Sequence, residues 1–113
     1  SSSNISSRYI YGTGSAAGSA NGGSNFYSLA DRSSYTSSTF ANGEFYIPNY
    51  ASTSSYKSIS HDVVTENNGT EAVSYLTAAL LSSNSAISTV TIAPTSGTFV
   101  QYSTAYLYGV KNA

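Results

Sequence analysis

The chain has 113 residues, enough for one domain with a single modest core. Its net charge is −1 and its four basic residues, Arg8, Arg32, Lys57 and Lys111, are scattered, so no basic patch exists for a nucleic-acid backbone. Zero Cys excludes disulfide frameworks, thiolate zinc sites and thiol catalysis together. Only 8% of residues are charged, against roughly 25% in an ordinary globular domain. About a third are Ser or Thr, a composition that by itself suggests disorder. Eleven Tyr, four Phe and a spread of Ile, Val and Leu argue instead for a folded chain. Its solubility rests on hydroxyls and amides, as in extracellular or particle-bound β-proteins. No apolar run reaches the roughly 20 residues of a membrane span, so no membrane insertion is expected. The lack of Met marks a processed product or a piece of a longer chain.

Residues 1–7 read as a polar, flexible lead, and residues 8–113 as one domain. Arg8-Tyr9-Ile10-Tyr11 is a short strand ended by Gly12-Thr13-Gly14. The Gly/Ala/Ser/Asn run 15–24 reads as a mobile loop. Gly12-Thr13-Gly14 opens like a dinucleotide fingerprint, but the next Gly falls at 18, no helix follows and no Walker lysine is present. Residues 25–29 are the next predicted strand. Residues 40–48 form another, in which Gly43 marks a bulge or a close approach and Pro48 stops pairing. Residues 56–64 place Ile59, His61 and Val63 on one face, opposite Ser58, Ser60 and Asp62.

Residues 65–70 are a turn, with Asn68-Gly69 suited to a primed hairpin. Residues 71–81 fit helical and strand spacing alike, and the preceding turn tips the reading to a strand. Residues 86–93 alternate with β-branched side chains, and Pro94 to Gly97 turns the chain. The longest β-prone run is 98–110. Ala105, Leu107 and Gly109 fall on one face and Thr104, Tyr106, Tyr108 and Val110 on the other. Bulk on both faces predicts a strand inside a sheet. Short strands, turn signals and no clear helix describe an antiparallel β-sandwich or barrel.

His61 is the only histidine, and its neighbour Asp62 points to the opposite face, so the two cannot form a dyad. A catalytic triad would need a distant acid and a nucleophile on an elbow. The residues therefore read His61 as structural, with no catalytic residue assigned. Asp62, Glu66 and Glu71 flank one hairpin and invite a glycosidase pair. With Asn67 and Asn68 they offer oxygen ligands to Ca²⁺, but at no EF-hand spacing. Hairpin turns attract such residues anyway, so no metal and no cofactor are expected. Asn4-Ile5-Ser6 and Asn68-Gly69-Thr70 match the glycosylation triplet, which is common by chance. Tyr27, Tyr35, Tyr50 and Tyr56 lie beside loops, where rigid rings among Ser and Asn suit ligand contact.

Several strings resemble a known domain type. They are Arg8-Tyr-Ile-Tyr-Gly-Thr-Gly-Ser15, Gly43-Glu-Phe-Tyr-Ile-Pro-Asn-Tyr50, Tyr56-Lys-Ser58, Val64-Thr-Glu-Asn-Asn68, Ala86-Ile87 and the whole of 97–110. The chain resembles the C-terminal β-sandwich domains of marine tailed-phage structural proteins of the tail-fibre or appendage kind. The resemblance implies a jelly-roll-like sandwich and a non-enzymatic virion module of a fibre or appendage. The expected role is that of a homotrimer among other virion proteins, its loops displayed for host-surface contact and a host surface glycan a candidate ligand. Such relatives place further strands before the segment matching Arg8, so the resemblance implies an edge completed by a neighbouring subunit or by missing N-terminal strands. A capsid decoration (cement) protein is the alternative. A carbohydrate-binding module of a cell-surface protein is a further one.

Overall fold

The computed structural model describes residues 4–24, 26, 30–69 and 72–111. The described residues contain five strands: β1 (Ile5–Gly12), β2 (Ala17–Gly23), β3 (Asn42–Tyr46), β4 (Lys57–Thr65) and β5 (Val73–Leu81). They form one open sheet in the order β2-β1-β5-β4-β3, with every neighbouring pair antiparallel. The all-β, antiparallel class expected from the sequence is therefore observed. No helix and no second sheet occur among the described residues.

The strict alternation of β4 sets the two faces. Lys57, Ile59, His61, Val63 and Thr65 are buried, while Ser58, Ser60, Asp62 and Val64 are exposed. Directly opposite residues in an antiparallel pair share a face. The inner face therefore also carries Thr77 and Ala79 from β5, Ser7 from β1 and Phe45 from β3. Ile59, Val63 and Ala79 are its buried hydrophobic residues; beside them lie buried Ser7, Lys57, His61, Thr65, Asn67 and Thr77. Tyr9, Tyr11 and Tyr75 extend this face, with ring centroids 5.3 to 6.2 Å apart.

Two sequence features find their physical reason here. A Cβ on Gly43 would lie 3.0 Å from the Asp62 carbonyl oxygen and 3.3 Å from Val63, so glycine there permits close approach. The β3–β4 register runs through it unbroken, and there is no bulge. Tyr11 folds over Gly18, whose added Cβ would meet the phenol oxygen at 2.7 Å. That contact explains why the small-residue run is a strand and not the expected mobile loop. Thr13 N–H donates to Ala16 O at 2.9 Å, Gly14 takes φ +83°, and the hairpin feeds 17–23 onto β1. Pairing with a β-rich neighbour outweighs weak intrinsic propensity. The β1–β2 register shifts between Ser7 and Arg8, where Gly22 is the extra residue.

Other expectations need correction. β1 begins at Ile5, upstream of the expected Arg8. The predicted strand 25–29 falls largely outside the described residues, and Phe26 belongs to no strand. The β4–β5 hairpin holds, and so does the strand reading over Val73–Leu81, Glu71 lying outside the described residues, but the turn is not a primed pair. The strands part at Thr65 and Val73, and Asn68 alone is left-handed, at φ 54°. Residues 86–93 and 98–110 form no strand. The longest β-prone run is thus not inside the sheet; every described residue from 88 to 111 is exposed.

One buried charge ties this architecture together. The Lys57 ammonium donates to Ser52 O at 2.7 Å, Ser83 O at 3.1 Å and Ser85 O at 2.7 Å. An ammonium has three hydrogens, and each finds a carbonyl. The Ser52 hydroxyl in turn accepts the N–H groups of Ser54 and Ser55, at 3.2 and 3.1 Å. The connection entering β4 and the one leaving β5 are thereby clamped to one atom. Lys57→Met should take the shared donor from these three part-buried carbonyls and lower unfolding stability by about 2 kcal/mol. Urea titration of the full chain measures it.

Candidate interaction surfaces

Among the described residues no second layer covers the outer face of the sheet. Ile10, Leu76, Leu80, Val64 and Tyr46 stand exposed there, among Ser58, Ser60 and Asp62. An open antiparallel sheet normally alternates apolar inward and polar outward. Here the outward set keeps aliphatic residues on the three central strands. A shallow trough of about 690 Å³ crosses them, lined by Arg8, Ile10, Ser19, Asn21, Leu76 and Ala78 among others.

The second surface is the carboxy-terminal arm. After β5 the chain is held by Ser82 N–H on Asn4 O at 2.8 Å, by the Lys57 clamp, and by Ile87 N–H on Tyr50 O at 2.8 Å. Beyond Ile87 no side chain is buried. Val90, Ile92, Phe99, Val100, Tyr102, Tyr106, Leu107, Tyr108 and Val110 are all exposed, Leu107 at 90% and Tyr108 at 81%. A turn interrupts the arm, with Ser103 N–H on Val100 O at 3.1 Å and Tyr102 left-handed at φ 73°. Beyond it, the Tyr106 and Tyr108 rings stack at 6.5 Å, the i, i+2 spacing of extended backbone.

The residues singled out for chemistry are placed as follows. His61 lies 1% exposed, its ring flat against Phe45 at 3.7 Å with planes 2° apart. Nδ1 sits 2.9 Å from Glu44 O, and since a carbonyl only accepts, Nδ1 carries the proton. Nε2 is buried without a hydrogen-bond partner, as is Oγ1 of Thr77 directly opposite on β5. The ring is thus sealed in the packed face. Asp62 points from the outer face, whereas the Glu66 carboxylate accepts Asn68 N–H at 2.8 Å and holds the turn. Glu71 lies outside the described residues. Asn67 is buried and Asn68 exposed, so the oxygen ligands weighed for Ca²⁺ are not gathered. Among the described residues no group of three metal-ligating side chains converges. The Gly12-Thr13-Gly14 turn borders a cleft of about 220 Å³ lined by Glu66 and by no Lys or Arg, which gives a phosphate nothing to pair with.

Among the loop tyrosines, Tyr27 lies outside the described residues. Tyr50 and Tyr56 are exposed on either side of the Ser52 turn. Tyr35 is half-buried, with the Arg32 guanidinium carbon 5.9 Å from its ring centroid. Tyr50 and Tyr56 therefore share one connection, while Tyr35 belongs to another. What residue-level reading missed was the aliphatic stripe of Ile10, Leu76 and Leu80. Its signal was present in β5, where Leu76, Ala78 and Leu80 alternate in step, but nothing local marks that face as outward.

The two faces predict different mutational costs. Phe45→Ala should remove the cover of His61 and lower stability by about 2 kcal/mol, less than the full cost of a deeply buried Phe. Leu76→Ala, in dilute protein, should cost less than about 1 kcal/mol because its side chain is half in water. Denaturant midpoints of the two variants decide which face is the core of the single chain. Comparison with known proteins adds no constraint: no family model, no curated protein and no solved structure matches the chain.

Proposed function

We propose that the chain is a non-enzymatic structural module of a phage fibre or appendage, working as a homotrimer and presenting its loops to the host surface. The observation that carries the assembly part is the mismatch between buried and exposed apolar residues. Ile59, Val63 and Ala79 are the buried hydrophobic residues, while eighteen large hydrophobic residues stand exposed among those described. A monomer of this size ordinarily buries about two-thirds of its unfolded surface, and exposed apolar patches on that scale mark association sites. With 8% charged residues, copies meet without charge repulsion.

The jelly-roll-like sandwich is part of this proposal. One open sheet with an aliphatic outer face is half of such a fold, and a neighbouring subunit supplies the other layer. Tyr50 and Tyr56, exposed around a turn organised by Ser52, are the side chains offered to a host glycan. The phage assignment rests on the resemblance in the strings given above.

Immunogold labelling with antibodies against the domain, on particles of the phage that encodes it, tests the placement. Label on tail fibres or appendages is expected. Label on the capsid in proportion to its subunits would replace the fibre role by capsid decoration, and particles bare of label would end the virion reading. On glycan arrays, any binding should be lost in Tyr50→Ala/Tyr56→Ala and kept in His61→Ala.

A further inference from the structure

We propose that residues 103–110 of one copy lie along the outer sheet face of a second copy, seating Tyr106, Tyr108 and Val110 along the β5 row Leu76, Ala78 and Leu80, with Ile10 beside Leu76. The inference rests on the assembly reading above and names its contact.

The arm and the face match in pattern and length. Alternate side chains of an extended segment recur every ~6.6 Å, and so do those along β1 and β5. Residues 103–110 span ~26 Å at ~3.3 Å per residue, close to the ~30 Å of nine-residue β5. The arm segment carries no charge. The trough mixes aliphatic side chains with Ser19, Asn21 and Arg8. Tyrosine suits such a lining, its ring meeting Leu and Ile and its hydroxyl meeting Ser or Asn. The Arg8 guanidinium also favours an aromatic face.

The occupant is a second copy because the arm leaves on the wrong side for its own sheet. Lys57 belongs to the inner face, and its ammonium holds the Ser83 and Ser85 carbonyls. Ile87 is then pinned to Tyr50. The chain departs on the inner side, the outer face lies across the sheet, and Tyr106, Leu107, Tyr108 and Val110 each stay more than three-quarters exposed. Every copy thus carries one donor arm and one acceptor face. Two different patches make a head-to-tail contact, which closes as a ring when the rotation allows. A three-membered ring gives the homotrimer.

Sedimentation velocity on the full chain, from low to high micromolar, tests this with two variants. Tyr106→Asp/Tyr108→Asp disables the arm, where both rings are exposed and the fold is untouched. Leu76→Arg disables the face, with Ala78→Arg as substitute if circular dichroism shows the first unfolded. Each variant alone should associate at least about a hundredfold more weakly. Mixed in equal amounts they should form a heterodimer, since the face variant keeps a good arm and the arm variant a good face; that mixture cannot close a ring. Association as strong in either variant as in the unaltered chain, or a mixture that stays monomeric, would overturn the arm contact and leave assembly through another surface standing. A full chain monomeric at every concentration would overturn the arm contact and the trimer together.

Discussion

The three hydrogen bonds from the Lys57 ammonium decide where the chain enters β4 and where it leaves β5. A charge buried away from water is tolerable only when its donors are all engaged. Here the acceptors are three backbone carbonyls, none of them in a strand. They come from the connection entering β4 and from the segment leaving β5. Satisfying one side chain therefore fixes two loops on the inner side of the sheet. The side on which the chain leaves β5 follows from that clamp.

The inner face is an unusually polar core. Buried Lys57, His61, Thr65, Thr77 and Asn67 outnumber buried Ile59, Val63 and Ala79. His61 Nε2, Thr77 Oγ1, Asn67 Nδ2 and both Asp31 carboxylate oxygens are buried without hydrogen-bond partners among the described residues. Each such group costs about 1–3 kcal/mol. A small domain is only marginally stable to begin with. The apolar side chains that could offset the cost are on the outer face and the arm. In the proposed assembly stability and association would be coupled, because burying the outer face adds the apolar area that the inner face lacks.

Much of the sheet was legible in the residues. Ile59, His61 and Val63 alternate with Ser58, Ser60 and Asp62, and β4 alternates accordingly. Gly43 announced a close approach, and Asn68-Gly69 announced the β4–β5 hairpin, which settled 73–81 as strand over helix. β2 was hidden because its stability comes from β1 and from Tyr11 packing over Gly18, neither of which is local to residues 17–23. Lys57 as a core residue was equally hidden, since a lone lysine at a strand start normally marks solvent. The tyrosines gave contact area without address. Propensity cannot say whether Tyr50, Tyr56 or Tyr106 faces a ligand, a second copy or water.

The arm is where the reading went furthest astray, and the reason is informative. Residues 98–110 have strong β-propensity and bulk on both faces, which together describe a strand with layers above and below it. That description belongs to the sequence and carries no statement about which chain supplies the layers. Tyr106, Leu107, Tyr108 and Val110 are more than three-quarters exposed in the single chain, so covering both faces of that segment would take other polypeptide. Tyr106, Tyr108 and Val110 meeting an outer sheet face would use one side, leaving Ala105, Leu107 and Gly109 for whatever packs beyond. Intrinsic preference and single-chain geometry conflict only if the folding unit is taken to be one chain. With the proposed assembly as the unit, the same residues would become locally consistent, as natural sequences tend to be.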